Sequence, residues 1–212
     1  MIPGILGKKI AMTQIFDAKG FAIPVTLINC GPCYISQIKT KDNAGYNAVQ
    51  LAYSEIFSVK NTISKPEMGH FTRKNLKYYR YLKEFTVKST IDYKIGQIIS
   101  LELFKIGEYL NIKGLTTGKG NASNIKKNHF SRGPMSHGSK HHRLQGSLGA
   151  GTSPGRVFPG KKMPGHLGMT YCTIKNLEIL FINEDKNLLV IKGSVPGKIG
   201  SLLKLSRANK NV

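Results

Sequence analysis

A stretch of 69 consecutive residues, 109–177, contains no aspartate or glutamate, although the chain has 11 acidic residues. The same stretch holds eleven Lys or Arg residues, five of the six His and twelve of the 23 Gly. Between Gly118 and Gly168 the apolar residues recur at neither helical nor strand spacing, and Gly, Pro, Ser and Asn interrupt them throughout. Because such a segment cannot build a hydrophobic core, we expect a long, mostly irregular extension over residues 121–168.

The charge of the whole chain indicates a polyanionic partner. Its 212 residues carry 32 Lys plus Arg against 11 Asp plus Glu, which gives a formal net charge of +21. One interpretation of the basic segment is a disordered insert, but such inserts are usually simple in composition. This segment instead mixes Gly, Pro, His, Arg and Met, as in 133–138, 153–158 and 163–166. The mixture favours a segment whose backbone lies against nucleic acid.

The sequence on either side of the segment predicts β-structure, because short β-branched or aromatic runs alternate with turn-forming residues. The predicted strands are Phe21–Asn29, Tyr34–Lys39, Tyr46–Tyr53, Tyr81–Val87, Ile98–Phe104, Cys172–Ile182, Asn187–Lys192 and Leu202–Leu205. The predicted hairpin connections are 31–32, 42–45 and 183–186. A short helix is predicted after Pro66, within Lys65–Lys77. Strands on both sides of the extension predict one discontinuous barrel or sandwich domain, formed by residues 1–120 and 169–212.

Several other protein classes conflict with the sequence. The longest uncharged run, Gly20–Ile38, contains two prolines and several polar residues, so it is not expected to span a membrane. Gly and Lys interrupt Met1–Phe16, so we expect no secretory signal. Three cysteines in a chain of this length predict reduced thiols rather than a disulfide framework.

Cys30-Gly31-Pro32-Cys33 has the spacing of the dithiol in thioredoxin-like enzymes. In those enzymes a helix follows the motif directly and lowers the pKa of the first thiol. Here Tyr34–Lys39 favours a strand, so the motif predicts a turn between strands with incidental thiols. A dithiol reductase is kept as an alternative function.

Two other patterns resemble ligand sites. The segment contains the histidines His129, His137, His141, His142 and His166, but no carboxylate that could share a metal ion with them. Gly114–Gly120 resembles a phosphate-binding loop, yet three residues rather than four separate its first two glycines, and glycine follows Lys119. We therefore expect no metal, no cofactor and no catalysis, and we expect these residues to contact RNA phosphates.

The motifs, read in order, resemble the ribosomal protein L3 family of the large subunit, of bacterial or plastid type. The resemblance rests on the segments Gly4–Phe16, Ile23–Thr26, Lys65–Phe71, Gly118–Gly120, Gly133–Gly168 and Asn187–Gly197. It implies a mainly β fold: a translation-factor-like barrel with a small α/β insertion near residues 60–90, and an extension that penetrates large-subunit ribosomal RNA. It also implies a structural role in early subunit assembly, with neighbours such as ribosomal proteins L14 and L19.

Site residues follow from the charge pattern and the resemblance together. The predicted contacts with ribosomal RNA are Lys8, Lys9, Lys119, Lys126, Lys127, Arg132, His137, Lys140, His142, Arg143, Arg156, Lys161, Lys162 and His166. The resemblance implies that the tip of the extension approaches the peptidyl transferase centre, and by position the tip comprises Gly149, Ala150, Gly151, Thr152 and Ser153. A non-ribosomal RNA chaperone built on the same kind of barrel is the second alternative.

Overall fold

The computed structural model describes residues 4–57 and 63–208. Within them, twelve strands are present: β1 (Gly4–Phe16), β2 (Ala22–Cys30), β3 (Cys33–Lys39), β4 (Ala48–Glu55), β5 (Tyr79–Thr86), β6 (Ile98–Ile99), β7 (Tyr109–Leu115), β8 (Asn121–Ala122), β9 (Gly165–His166), β10 (Tyr171–Asn183), β11 (Leu188–Lys192) and β12 (Leu202–Arg207). The helices are α1 (Lys41–Ala44), α2 (Lys65–Thr72), α3 (Asn124–Asn128) and a 3-10 turn at Leu101–Leu103. The prediction of a mainly β chain is confirmed.

Six antiparallel strands form a sheet that closes on itself in the order β1, β12, β7, β10, β11, β2. The first strand therefore pairs with the last, with Gly4 opposite Ser206. Fully buried aliphatic side chains fill the interior, among them Ile5, Ile28, Leu110, Ile112, Ile179 and Leu205. Each contributes roughly 1.5–3 kcal/mol through the hydrophobic effect.

Two barrel strands, β1 and β7, were not among the predicted strands, because glycines interrupt their apolar patterns. The structure shows why those glycines are needed. A Cβ at Gly7 would lie 2.7 Å from Cys30 Sγ and 2.8 Å from the Asn29 carbonyl oxygen. A Cβ at Gly114 would lie 2.7 Å from Leu203 Cδ2. Close approach of neighbouring strands, rather than a turn, thus explains these residues.

A second, four-stranded sheet has the order β5, β4, β3, β6. Helix α2 packs on it through Phe71, which lies against Tyr79 with ring centroids 5.9 Å apart. The helix predicted after Pro66 is confirmed, and a capping box of Ser64 and Glu67 begins it. The predicted insertion near 60–90 includes this helix and β5, while its residues 60–62 lie outside the described residues.

Two details of the predicted strands differ from the structure. The strand predicted over Ile98–Phe104 is wrong beyond Ile99, where the chain turns into the short 3-10 helix. The hairpin predicted at 31–32 is also wrong, because β2 pairs with β1 and β11 whereas β3 pairs with β4 and β6, so this turn connects two sheets. The hairpin connections at 42–45 and 183–186 are confirmed.

The chain divides into two compact units. The first unit contains the barrel and the four-stranded sheet, up to Leu115 and again from Tyr171. The second unit, Thr116–Thr170, is inserted between β7 and β10 and contains β8, β9 and α3. Among the described residues, no helix has the length and apolar character that a membrane crossing requires.

Candidate nucleic-acid interface

Backbone hydrogen bonds join the two ends of the second unit. Thr116 N donates to the Thr170 carbonyl at 2.9 Å, Lys119 N to the Leu167 carbonyl at 2.9 Å, and Leu167 N to the Gly120 carbonyl at 3.0 Å. The short strands β8 and β9 continue this pairing, with Asn121 opposite His166. These contacts define a two-stranded base through which the chain enters and leaves the unit.

A cluster of two asparagines, which we call the Asn124 cluster, organises the unit beyond this base. Asn124 is only 3% exposed, and its Nδ2 donates to the Lys162 carbonyl at 3.2 Å and to Gln145 Oε1 at 3.3 Å. Asn128 Nδ2 donates to Asn124 Oδ1 at 2.7 Å and to the Met163 carbonyl at 3.3 Å. The cluster therefore joins α3 to Gln145 and to the segment at residues 162–163, just before β9. Sequence reasoning missed it, since its partners are far apart along the chain.

Most residues of the second unit are exposed. Within 116–170, Ala122 and Asn124 are the two buried residues, and every residue from Gly149 to Lys162 is exposed. The predicted RNA contacts that lie exposed are Lys119, Lys126, Arg132, His137, Lys140, His142, Arg143, Arg156, Lys161, Lys162 and His166, while Lys127 is half-buried. No carboxylate lies within this unit, so these cations face solvent without an internal counter-charge.

Local contacts orient a few of these side chains. The Arg156 guanidinium lies 5.6 Å from the centroid of the Phe158 ring, and His142 Nδ1 lies 2.9 Å from the Pro134 carbonyl oxygen. The predicted tip, Gly149–Ser153, lies within the fully exposed stretch. Side chains that are already stacked or hydrogen-bonded lose less conformational entropy when they bind a phosphate than free side chains do.

Lys8 and Lys9 differ sharply in environment. Lys9 is only 8% exposed, and its ammonium donates to the carbonyls of Val195 at 3.1 Å and Gly197 at 3.2 Å. Two of its three N–H donors are thus used inside the first unit, and Lys9 is the one buried residue among the predicted RNA contacts, so its contact with RNA stays a prediction. Lys8 is half-buried; its ammonium donates to Ser54 Oγ at 3.1 Å and lies 5.1 Å from the centroid of Tyr81.

The Cys30/Cys33 pair lacks the properties of a redox site. Both thiols are fully buried. Burial raises the pKa of Cys33 to about 12 and raises that of Cys30 well above its usual range. Since the thiolate is the reactive form, both groups stay inert at neutral pH. Among residues 4–57 and 63–208, moreover, no three His, Cys, Asp or Glu side chains are grouped as metal ligands.

Comparisons with known proteins find one family that this chain resembles. The sequence model of the family described as "Ribosomal protein L3" matches residues 81–188. Large ribosomal subunit protein uL3c of Phaeodactylum tricornutum is 48% identical over 205 residues, which cover 97% of this chain and 98% of that relative. The uL3 proteins of Trichormus variabilis and Carboxydothermus hydrogenoformans are 49% and 52% identical over 210 residues, in each case 99% of both chains. The chain belongs to the ribosomal protein L3 family.

Proposed function

We propose that the chain is a structural constituent of the large ribosomal subunit, in a bacterium or a plastid, and that its extension binds large-subunit ribosomal RNA. The barrel, which we take to be translation-factor-like, is the anchored domain (1–120 and 169–212), and residues 121–168 penetrate the RNA. The protein acts early in subunit assembly, beside neighbours such as L14 and L19, and the tip at Gly149–Ser153 approaches the peptidyl transferase centre. It is not an enzyme.

The observation that carries the proposal is the combination of exposure and charge in the second unit. Its Lys and Arg side chains, except that of the half-buried Lys127, are solvent-exposed, and the unit contains no acid to neutralise them. Each cation that neutralises a phosphate releases counterions, which favours binding in a salt-dependent way. The many glycines let the backbone approach RNA closely. A segment with two buried residues gains most of its stabilising contacts from a partner.

The test compares two full-length variants that lose the same charge. The extension variant replaces Arg143, Arg156, Lys161 and Lys162 by Gln, and the control variant replaces the exposed Lys88, Lys94, Lys105 and Lys186 of the first unit by Gln. Binding to large-subunit ribosomal RNA is measured across a salt series. We expect the slope of log K against log salt to become shallower by roughly 3 to 4 in the extension variant. Equal losses of slope in both variants would refute the proposal.

The RNA chaperone alternative makes a different prediction. A structural constituent stays in the large subunit at one copy per particle through a high-salt density gradient, whereas a chaperone is released. Quantitative mass spectrometry of purified subunits measures this stoichiometry.

A further inference from the structure

The first unit carries a separate group of cations, which we call the basic–aromatic cluster. It consists of Lys8, Arg80, Lys83, Lys113 and Lys204 together with the rings of Tyr81 and Tyr171. These residues come from β1, β5, β7, β10 and β12. Only Lys8 among them was a predicted RNA contact. Strand pairing, rather than proximity in sequence, brings the group together.

Tyr171 is the centre of one half of the cluster. The ammonium groups of Lys83 and Lys113 lie 5.7 Å and 5.3 Å from the centroid of its ring. Lys83 Nζ also lies 3.5 Å from the Tyr171 hydroxyl. The ring is 60% exposed, so the two cations are held beside an accessible surface. Cation–π contacts of this kind position the side chains before any ligand arrives.

Lys204, on β12, adds a third lysine to this half of the cluster. It lies directly opposite Lys113 in the pairing of β12 with β7. Its ammonium lies 4.2 Å from the centroid of the Phe85 ring and donates to the Glu84 carbonyl. In the other half of the cluster, Lys8 and Arg80 flank the Tyr81 ring at 5.1 Å and 5.8 Å from its centroid.

Acidic side chains offset the charge of the cluster only in part. In the part of the chain that the structure describes, no salt bridge involves any of its five cations. The carboxylate of Glu84 is already paired with Lys39 at 2.6 Å. Burial, and then the neighbouring charges of Lys113 and Lys83, lower the pKa of Lys204, and the charge of Glu84 offsets only part of this shift. Like charges held this close cost free energy, which an anion bound between them would recover.

We propose that the basic–aromatic cluster is a second RNA site, which binds the phosphodiester backbone through Lys83, Lys113 and Lys204. The inference rests on the proposed function in that both take RNA as the partner, but it places a contact outside the extension. Several adjacent cations suit a chain of phosphates better than a single anion, since each neutralised phosphate adds to counterion release. The aromatic rings fix the lysine stems, which reduces the entropy lost on binding.

The test uses the full-length protein and a 20-nucleotide single-stranded RNA of mixed sequence. The cluster variant carries Lys83→Gln and Lys113→Gln, and the matched control carries Lys105→Gln and Lys186→Gln. With about 0.7 released ions per contact on single strands, we expect the salt slope of the cluster variant to fall by about 1.4, which is roughly a 25-fold loss of affinity at 0.1 M relative to 1 M salt. Tyr171→Phe, which keeps the ring, should bind like the unchanged protein, whereas Tyr171→Leu should bind more weakly.

Three results would overturn the inference: an unchanged slope in the cluster variant, an equal loss in the control, or competition by polyglutamate as effective as that by RNA. The last result would identify an acidic protein segment as the ligand. The extension variant, measured in the same assay, separates this inference from the proposed function. If the extension variant keeps its slope while the cluster variant loses its own, the extension hypothesis fails and the cluster stands. The opposite pattern refutes only the cluster.

Discussion

Replacement of Asn124 by alanine should destabilise the second unit, residues 116–170, while leaving the barrel folded. The Asn124 side chain takes part in three hydrogen bonds, two donated and one accepted, and it is almost fully buried. Each such bond contributes about 1 kcal/mol net, so their loss amounts to about 3 kcal/mol. The second unit has only one other buried residue to offset this loss, Ala122.

A local destabilisation of about 3 kcal/mol corresponds to roughly a 100-fold faster opening-limited amide exchange. We expect this acceleration at the amides of Lys119, Lys127 and Leu167, which are hydrogen-bonded within the second unit. Barrel amides such as that of Ile179, which donates to the Glu108 carbonyl, should exchange at an unchanged rate. Hydrogen–deuterium exchange of the free protein, followed by mass spectrometry, measures both groups in one experiment.

The matched control is Asn183→Ala, which removes an asparagine that accepts a hydrogen bond from the Lys186 amide in the barrel hairpin. It should leave residues 116–170 unchanged. The reasoning is refuted if Asn124→Ala exchanges like the unchanged protein, or if barrel amides accelerate by the same factor. RNA should restore protection in the variant at a higher concentration, because only the ordered fraction is competent to bind.

Two further predictions concern buried groups of the first unit. Lys9→Met should lower the free energy of unfolding by about 3 kcal/mol, because two hydrogen bonds from a charged donor are lost. The salt slope of RNA binding should stay unchanged. Urea titration measures the first outcome and the RNA assay the second, where a shallower slope would show that Lys9 contacts RNA. Because the pKa of Cys33 is raised from 9.0 to about 12, the folded protein keeps a proton that the unfolded chain loses between these values. The contribution of the Cys33 thiol to the free energy of unfolding is complete below pH 9, and above pH 9 it declines by up to about 1.4 kcal/mol per pH unit. Urea titrations at pH 8 to 10.5 should show a weaker decline in Cys33→Ala than in the unchanged protein. An identical decline in both would contradict the raised pKa of Cys33.

Local patterns in the sequence predicted much of the fold. Apolar runs with turn residues at their ends identified most strands, and Pro66 marked the start of α2. The two barrel strands that escaped prediction contain Gly7 and Gly114, whose role is the close packing of neighbouring strands. The sequence does not distinguish a glycine required by close packing between strands from a glycine that forms a turn.

The sequence likewise indicated some residues of the candidate site and missed others. The absence of acids over 109–177 is a property of the sequence itself, so it indicated the exposed cations of the extension directly. The burial of Lys9 and the contacts of Asn124 with Gln145 and Lys162 depend on residues 21 to 188 positions away. The pairing of Lys113 with Lys204 depends on the register of β7 with β12. Such long-range contacts leave no local signal.

The pairing of β1 with β12 also sets an order of events during synthesis. The barrel cannot close until residues 202–207 have been made, because Gly4 pairs with Ser206. Residues 116–170 are translated earlier, and at about 5–20 residues per second the 37 residues from Thr170 to Arg207 take roughly 2–7 s to follow. For that interval the cations of residues 116–170 have been made while the barrel is still open, so any RNA that binds them then meets a chain whose first and last strands have not yet paired.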